Sequence, residues 1–379
     1  MAAMRVLFVI PSPVGGTVQY THNLANALVD LGHEVLVAAA MDFEMKPFAR
    51  RYDVVEVFDG TTPHPGRFAA LLRAVRRLSP QVVHFQGAQH PEFYLLMWSV
   101  LRPFTGARFV WTPQDVLSNA RRPWHMKAYR AVYRRMEHVF LNARQNAGMI
   151  SEYFGVTPDR VTVLPIPDLV AFARDDLVPE PPNDVPAGRR LVLCFGLIEP
   201  RKGIDTLIEA FAQVRDRAPE AFLLVVGKAL TDVEPYRQAI AYQGLEDDAR
   251  IVDRYATFPE LVGLFRTAHV VTLPYHQGWN SGVLATAFGF GKPVVVTAVG
   301  GFDEVVTSGH TGLVVPPRDP AALADAIVAA LTDSDLYGRM AAAATVEGTK
   351  ASWQSVATTT AEVYRRVCGG NNALLGDAA

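Results

Sequence analysis

Cysteine is scarce in this chain, with Cys194 and Cys368 the only two thiols in 379 residues. Two cysteines cannot build a disulfide framework or a cysteine-rich metal site, and such a sequence suits a reducing cytoplasm. Cys194 lies in the apolar run LVLCFG and reads as a core residue. No apolar run approaches the ~18 residues that a membrane span requires. The run RVLFVI near the N-terminus ends in Pro-Ser-Pro with no small-residue cleavage site behind it. It therefore reads as a buried first strand, not as a signal peptide. No G-x-G-x-x-G follows that strand, which weakens a dinucleotide-binding reading. Between Glu260 and Asp303 there is no carboxylate at all. That stretch favours an anion site and disfavours a carboxylate metal site.

Half of the residues are hydrophobic and a fifth are charged, as expected of a globular protein with large cores. The length predicts about two domains at roughly 150 residues each. The net charge of −2 hides an asymmetry. Through Pro165 there are 18 Lys and Arg against 12 Asp and Glu, and afterwards 18 against 26. A basic first half can attract an anionic acceptor or membrane surface; solvated, Arg-rich helix faces explain it equally well.

β-Branched and apolar runs at 5–10, 33–40, 54–58, 82–85, 108–112, 139–141 and 161–165 predict strands. Helical patterns fall between them at 20–31, 67–78, 92–102 and 123–136. Such alternation indicates a parallel sheet covered on both faces. Residues 165–189 then hold six prolines, the composition of an interdomain connection. The alternation restarts with strands at 191–196, 221–227, 269–274 and 312–316 and helices at 203–217, 234–243, 258–267 and 320–331. A last helix is expected at 352–367, with frayed residues from 369. The fold class expected is α/β, two doubly wound Rossmann-like domains. The divisions are 1–170 with the last helix, a Pro-rich linker at 171–189, and 190–350.

In open α/β sheets ligands bind at the carboxyl ends of strands, and the chemically distinctive residues cluster there. Gly15 and Gly16 follow the first strand, where backbone can approach a ligand closely. His84 and Gln114 lie at the ends of two later strands. Beyond the strand that ends at Gly196, Arg201 and Lys202 occupy a strand-to-helix turn. Arg can hold two phosphate oxygens at once and Lys acts as a point charge, so the pair suits a diphosphate. Asn280, Ser281, Gly282 and Val283 precede a helix in the acid-free stretch, where N–H groups and the helix dipole favour phosphate. Each signal has a plain alternative, a tight turn or an exposed basic loop. Asp333-Ser334-Asp335 fits a D-x-D metal pattern but reads better as a turn or helix cap.

Together these turns resemble the GT-B glycosyltransferases, and among them the retaining nucleotide-sugar enzymes of glycosyltransferase family 4. The resemblance rests on Gly15-Gly16, GHEV (32–35), VVH (82–84), FGLIEPRKGIDTLIEAFA (195–212), LPY (273–275), GKPVVVTAVGG-x-x-E (291–304) and TGLVVPPRDP (311–320). It implies two Rossmann-like domains facing a central cleft, with the last helix crossing back to the first domain. It also implies a hexose-type sugar transferred from a UDP- or GDP-linked donor to a small, lipid-linked or glycan-linked acceptor hydroxyl. No cofactor and no metal are implied, and no nucleic acid. Arg201, Lys202, Gln114 and His84 fall at catalytic positions. Gly15, Gly16, Gly196, Asn280, Ser281, Gly282, Val283, Thr286 and Glu304 fall at donor positions.

Two departures from the family pattern stand out. Gly278 and Thr286 occupy the places where the family carries a pair of glutamates for the sugar and the ribose. Gln114 replaces a common histidine, and Gln cannot titrate. A nucleotide-sugar-binding pseudo-transferase and a nucleotide-sugar epimerase therefore remain open as alternatives. The basic, aromatic stretch 121–135 and the arginines of 67–77 leave peripheral contact with an anionic membrane open beside the ordinary surface reading.

Overall fold

The computed structural model describes residues 2–117, 124–174, 176–278 and 281–369. They form two units, 1–169 with 352 onwards, and 170–351.

Unit 1 runs β1 (Arg5–Val9), α1 (Gly16–Asp30), β2 (Glu34–Ala40), β3 (Asp53–Asp59), β4 (Thr62–Pro63), α2 (Pro65–Leu78), β5 (Val82–Gln86), α3 (Pro91–Leu101), β6 (Arg108–Thr112), α4 (His125–Arg135), β7 (His138–Leu141), α5 (Arg144–Phe154) and β8 (Val161–Val163). Its sheet has the order β4-β3-β2-β1-β5-β6-β7-β8, parallel except for the short β3–β4 hairpin. Leu7, Val9, Val83, Phe85, Phe109 and Trp111 face α2–α5 in one continuous core. The intervening residues face the other way, because successive strand side chains alternate.

Unit 2 runs β9 (Arg190–Phe195), α6 (Ile204–Arg217), β10 (Ala221–Val226), α7 (Glu234–Tyr242), β11 (Ala249–Val252), α8 (Phe258–Thr267), β12 (Val270–Leu273), α9 (Gly282–Gly289), β13 (Val294–Thr297), α10 (Phe302–Val305), β14 (Gly312–Val315), α11 (Pro320–Thr332) and α12 (Ser334–Lys350). The sheet order is β11-β10-β9-β12-β13-β14, all parallel. Val192, Cys194, Leu223 and Val225 pack on one face, and Leu191, Leu193, Leu224 and Val226 on the other. Both faces are thus covered by helices, which is why these strands read as unbroken apolar runs. Cys194 is buried, and burial pushes its thiol up to about 12. The last helix, α13 (Trp353–Gly369), belongs to unit 1 and packs on α1. The fold class is α/β with two Rossmann-like sheets, as expected.

Several details differ from the sequence reading. Residues 170–174 and 176–189 are not a free tether. Val170 is buried in the unit 2 core, Glu180 N–H donates to the Pro259 carbonyl at 3.0 Å, and Arg174 bonds the Gly289 carbonyl at 2.7 Å. Helices α5 and α12 were not anticipated, since Gly148 and Gly338 interrupt their patterns. Asp333 of the D-x-D run caps α12, accepting N–H bonds from Asp335 and Leu336 at 3.1 and 2.9 Å, the N-cap alternative. The expected start of a helix at 123 and the tail from 370 lie outside the described residues.

Candidate active site

A doubly wound sheet opens a crevice where its strand order reverses. That point lies between β9 and β12 in unit 2, and between β1 and β5 in unit 1.

In unit 2 the chain leaves β9 through Gly196, whose φ is 114°. A Cβ on Gly196 would stand 3.5 Å from Val283 Cγ2, so this turn faces the start of α9. One 3-10 turn follows, Pro200–Lys202, closed by Gly203 at φ 66°. Gly203 is required twice over: L side chains avoid that φ, and a Cβ there would lie 2.0 Å from the Pro274 carbonyl. The close approach lets the Arg201 carbonyl accept N–H bonds from His276 at 2.8 Å and Gln277 at 3.3 Å. The basic turn is therefore fastened to the loop that leaves β12.

Lys202 Nζ sits 3.7 Å above the Tyr275 ring centroid, a cation–π contact. Tyr275 is itself held rigidly. Its ring is buried, its carbonyl accepts from Thr297 Oγ1 at 2.6 Å, and its Oη lies 3.2 Å from Ser281 Oγ. Arg201 pairs with Glu199 at 2.6 Å, while its Nε is buried without a hydrogen-bond partner among the described residues. Ser281 is the N-cap of α9 and makes no side-chain cap bond. First-turn N–H groups of a helix have no intrahelical acceptor, so Gly282 and Val283 present donors beside Lys202 and Tyr275. The edge collects two cations and backbone donors around one rigid aromatic ring. Such a set holds a phosphate or diphosphate.

The remaining expected residues of unit 2 fall less closely together. Thr286 is 4% exposed on the second turn of α9. Glu304 is an exposed residue of α10, the short helix after β13. Asn280 lies outside the described residues. Tyr275 and Glu199 were not among the expected site residues. An aromatic at the end of a buried strand reads as core, and only the position of Lys202 distinguishes it.

In unit 1, Gly15 has φ 97° and starts α1. Its N–H donates to Glu44 Oε1 at 2.8 Å, and Glu44 N–H in turn donates to the Pro13 carbonyl at 2.9 Å. Burial raises the Glu44 carboxyl to about 7, against the lowering effect of Gly15 N–H and Gln19. Thr17 Oγ1, one residue past Gly16, donates to Gln114 Oε1 at 2.8 Å. Gln114 adopts φ 63°, a backbone conformation uncommon outside glycine. Gly15, Gly16 and Gln114 thus converge, joined by Glu44, which sequence reading missed because it comes from a different loop.

His84 does not join them, and its catalytic assignment is corrected. It is fully buried, with Nδ1 2.5 Å from Tyr364 Oη of α13 and Nε2 2.7 Å from Thr112 Oγ1. Burial lowers its pKa to about 3. Its ring stacks on Phe8 and approaches Phe140, so it belongs to the core beneath α13.

Two family descriptions match the chain in succession: Glycosyltransferase Family 4 over residues 14–167, and Glycosyl transferases group 1 over residues 189–333. The chain belongs to the GT-B group 1 glycosyltransferases. Among curated relatives, the D-inositol 3-phosphate glycosyltransferase of Kribbella flavida is 32% identical over 60% of this chain and 56% of its own length. The chain spans about half the length of the inositol-phosphate enzymes it matches. The glycogen synthase of Mycobacterium tuberculosis is 29% identical over 95% of this chain and 94% of its own. Of solved structures, sucrose-phosphate synthase from Thermosynechococcus elongatus superposes with TM-score 0.74 at 20% identity, covering 97% of this chain and all of that one. Anabaena Alr3699/HepE, in complex with UDP and glucose, gives TM-score 0.74 at 20% identity over 95% and 99% of the two chains. These likenesses carry the GT-B fold. Among the described residues of this glycosyltransferase, no helix is long and apolar enough to cross a membrane.

Proposed function

We propose that this glycosyltransferase moves a hexose-type sugar from a nucleoside-diphosphate donor to an acceptor hydroxyl, with retention of anomeric configuration and without a metal. The observation that carries the reading is the Arg201–Lys202–Tyr275–Ser281 edge of unit 2. That edge supplies two fixed cations and helix N–H groups where a leaving diphosphate needs them. The solved complexes of HepE with UDP and with UDP-glucose support a UDP-linked donor.

In this reading the bond between the anomeric carbon and the diphosphate oxygen breaks while the acceptor oxygen bonds the same face of that carbon. The acceptor proton passes to the departing phosphate oxygen, and the products are the glycoside and the nucleoside diphosphate. Arg201, Lys202 Nζ and the N–H groups of Gly282 and Val283 hold the negative charge as it develops. Glu199 restrains the Arg201 guanidinium. The acceptor is assigned to unit 1, where Gln114 can hydrogen-bond a hydroxyl.

Arg201→Ala and Lys202→Ala are each expected to lower kcat/KM by about 100- to 1,000-fold, roughly 3–4 kcal/mol, the range for losing one preorganised donor. Unchanged turnover in both variants would remove the assignment. Chelator should leave the rate unaltered, and NMR of the first-formed product should show the donor's anomeric configuration. Gly278 and the buried Thr286 favour one second reading, a nucleotide-sugar-binding protein without turnover. Saturable nucleotide binding with neither transfer nor donor hydrolysis, across UDP-, GDP- and dTDP-sugars, would establish it.

A further inference from the structure

Unit 1 carries a surface that transfer chemistry does not use. Helices α2, α3 and α4 lie side by side over one face of the sheet. Together with the 3-10 turn Arg102–Phe104 they bear nine Lys and Arg and a single carboxylate, Glu92. Glu92 stands at the start of α3, 3.4 Å from His90 and 3.8 Å from His125. The middle helix is apolar outward as well as inward. Along this outward ridge Leu96 is 49% and Phe104 43% exposed, with Val100 half-buried one turn beyond Leu96, while Leu95 and Trp98 lean inward on the core. Arg73 and Arg76 from α2 and Lys127, Arg134 and Arg135 from α4 leave this face basic; Arg67 and Arg77 instead pair with Glu56 and Asp53 of β3 at 3.3 and 3.8 Å, and Arg130 bonds the Tyr153 carbonyl of α5 at 3.3 Å. Among the described residues no other element covers the ridge.

The arginines nearest the ridge are fixed over its aromatic rings. Arg102 and Arg135 lie over Trp98 at 5.4 and 5.0 Å, and Arg76 lies over Phe104 at 5.3 Å. Held this way, the guanidinium forks lose little freedom when they meet a phosphate. The same contacts occupy the ring faces, so Trp98 and Phe104 offer no stacking platform for bases. An aliphatic ridge edged by cations is what an anionic bilayer surface accepts: apolar side chains enter the interface and basic ones meet headgroup phosphates.

We propose that the α2–α4 face of unit 1 docks on anionic phospholipid bilayers. The test is co-sedimentation of the full chain with vesicles of phosphatidylcholine alone or mixed with phosphatidylglycerol. Binding is expected only with the anionic vesicles, and it should fall as salt rises from about 0.05 to about 0.5 M, which shortens the Debye length from roughly 14 to roughly 4 Å. Arg73, Lys127 and Arg134 have no ion-pair partner among the described residues, so the triple variant Arg73→Glu/Lys127→Glu/Arg134→Glu should keep its fold. It should bind at least about tenfold more weakly, since each basic residue adds its own increment at the surface. Leu96→Asp should abolish the part of binding that resists salt. Arg339→Glu, on α12 of unit 2, should bind as the parent does, and circular dichroism confirms folding of every variant. Equal binding to neutral vesicles, no binding to anionic ones, or a triple variant that binds as the parent does overturns the proposal. Tighter binding to single-stranded RNA than to the vesicles does so as well.

Discussion

Tyr275 links the two halves of the phosphate-binding edge, one face under Lys202 and its hydroxyl beside Ser281. Tyr275→Phe keeps the ring and loses the hydroxyl, while Tyr275→Leu removes the surface that holds the ammonium. The leucine variant is expected to weaken donor binding about tenfold more than the phenylalanine variant, the upper range of a desolvated cation–π contact at roughly 1–2 kcal/mol. Titration calorimetry with nucleoside diphosphate would measure it. Glu44 makes a different prediction, in pH. Its folded pKa of about 7 lies above the ordinary 4.5. Its contribution to stability is therefore fully present below pH 4.5 and is lost as the pH rises through 7. Glu44→Gln should match the parent near pH 4 and exceed it by roughly 3 kcal/mol near pH 8, as denaturant melts at the two pH values would show. A variant curve parallel to the parent's at both would refute the assignment.

At the scale of elements, α13 completes the core of unit 1 through Tyr364. Tyr364→Phe leaves a buried nitrogen of His84 without its partner and should cost about 1–3 kcal/mol, read from the unfolding midpoint of unit 1. Activity per folded molecule should change little, which separates a core His84 from a catalytic one. The strands and most helices were legible in the sequence because a sheet buried on both faces writes itself as unbroken apolar runs such as LVLCFG and AFLLVVG. Arg201 and Lys202 were legible for a related reason: a strand-to-helix turn at a sheet edge is defined by local order. Long-range burial was not. In the sequence His84 reads as the end of a strand, but β5 runs on to Gln86, and the return of α13 from more than 250 positions away covers its side chain. Glu44 was invisible likewise, because its acceptor role depends on the β2 exit loop folding back onto Gly15.

For the whole molecule, the separate cores of the two units predict two unfolding transitions rather than one. Acid should shift them unequally. Burial lowers His84 to about 3 and His22 and His138 each to about 4, all in unit 1. Groups with depressed folded pKa values stabilise above the ordinary 6.5 and lose that contribution as pH falls toward the folded values. Unit 2 carries His269, lowered to about 4, and His276, also lowered. Glu44 opposes this in unit 1 as it gains its proton, so scanning calorimetry of the Glu44→Gln variant between pH 7 and 5 is expected to move the unit 1 transition further than the unit 2 transition. Removing residues from 352 onwards should abolish the unit 1 transition and leave that of unit 2. The discontinuity of unit 1 bears also on how the protein is made. A ribosome releases residues 170–351 before α13, so unit 2 has all of its own sequence and can close first. Unit 1 meanwhile waits with Phe8, His84 and Phe140 uncovered. The segment synthesised first is then the last to finish folding.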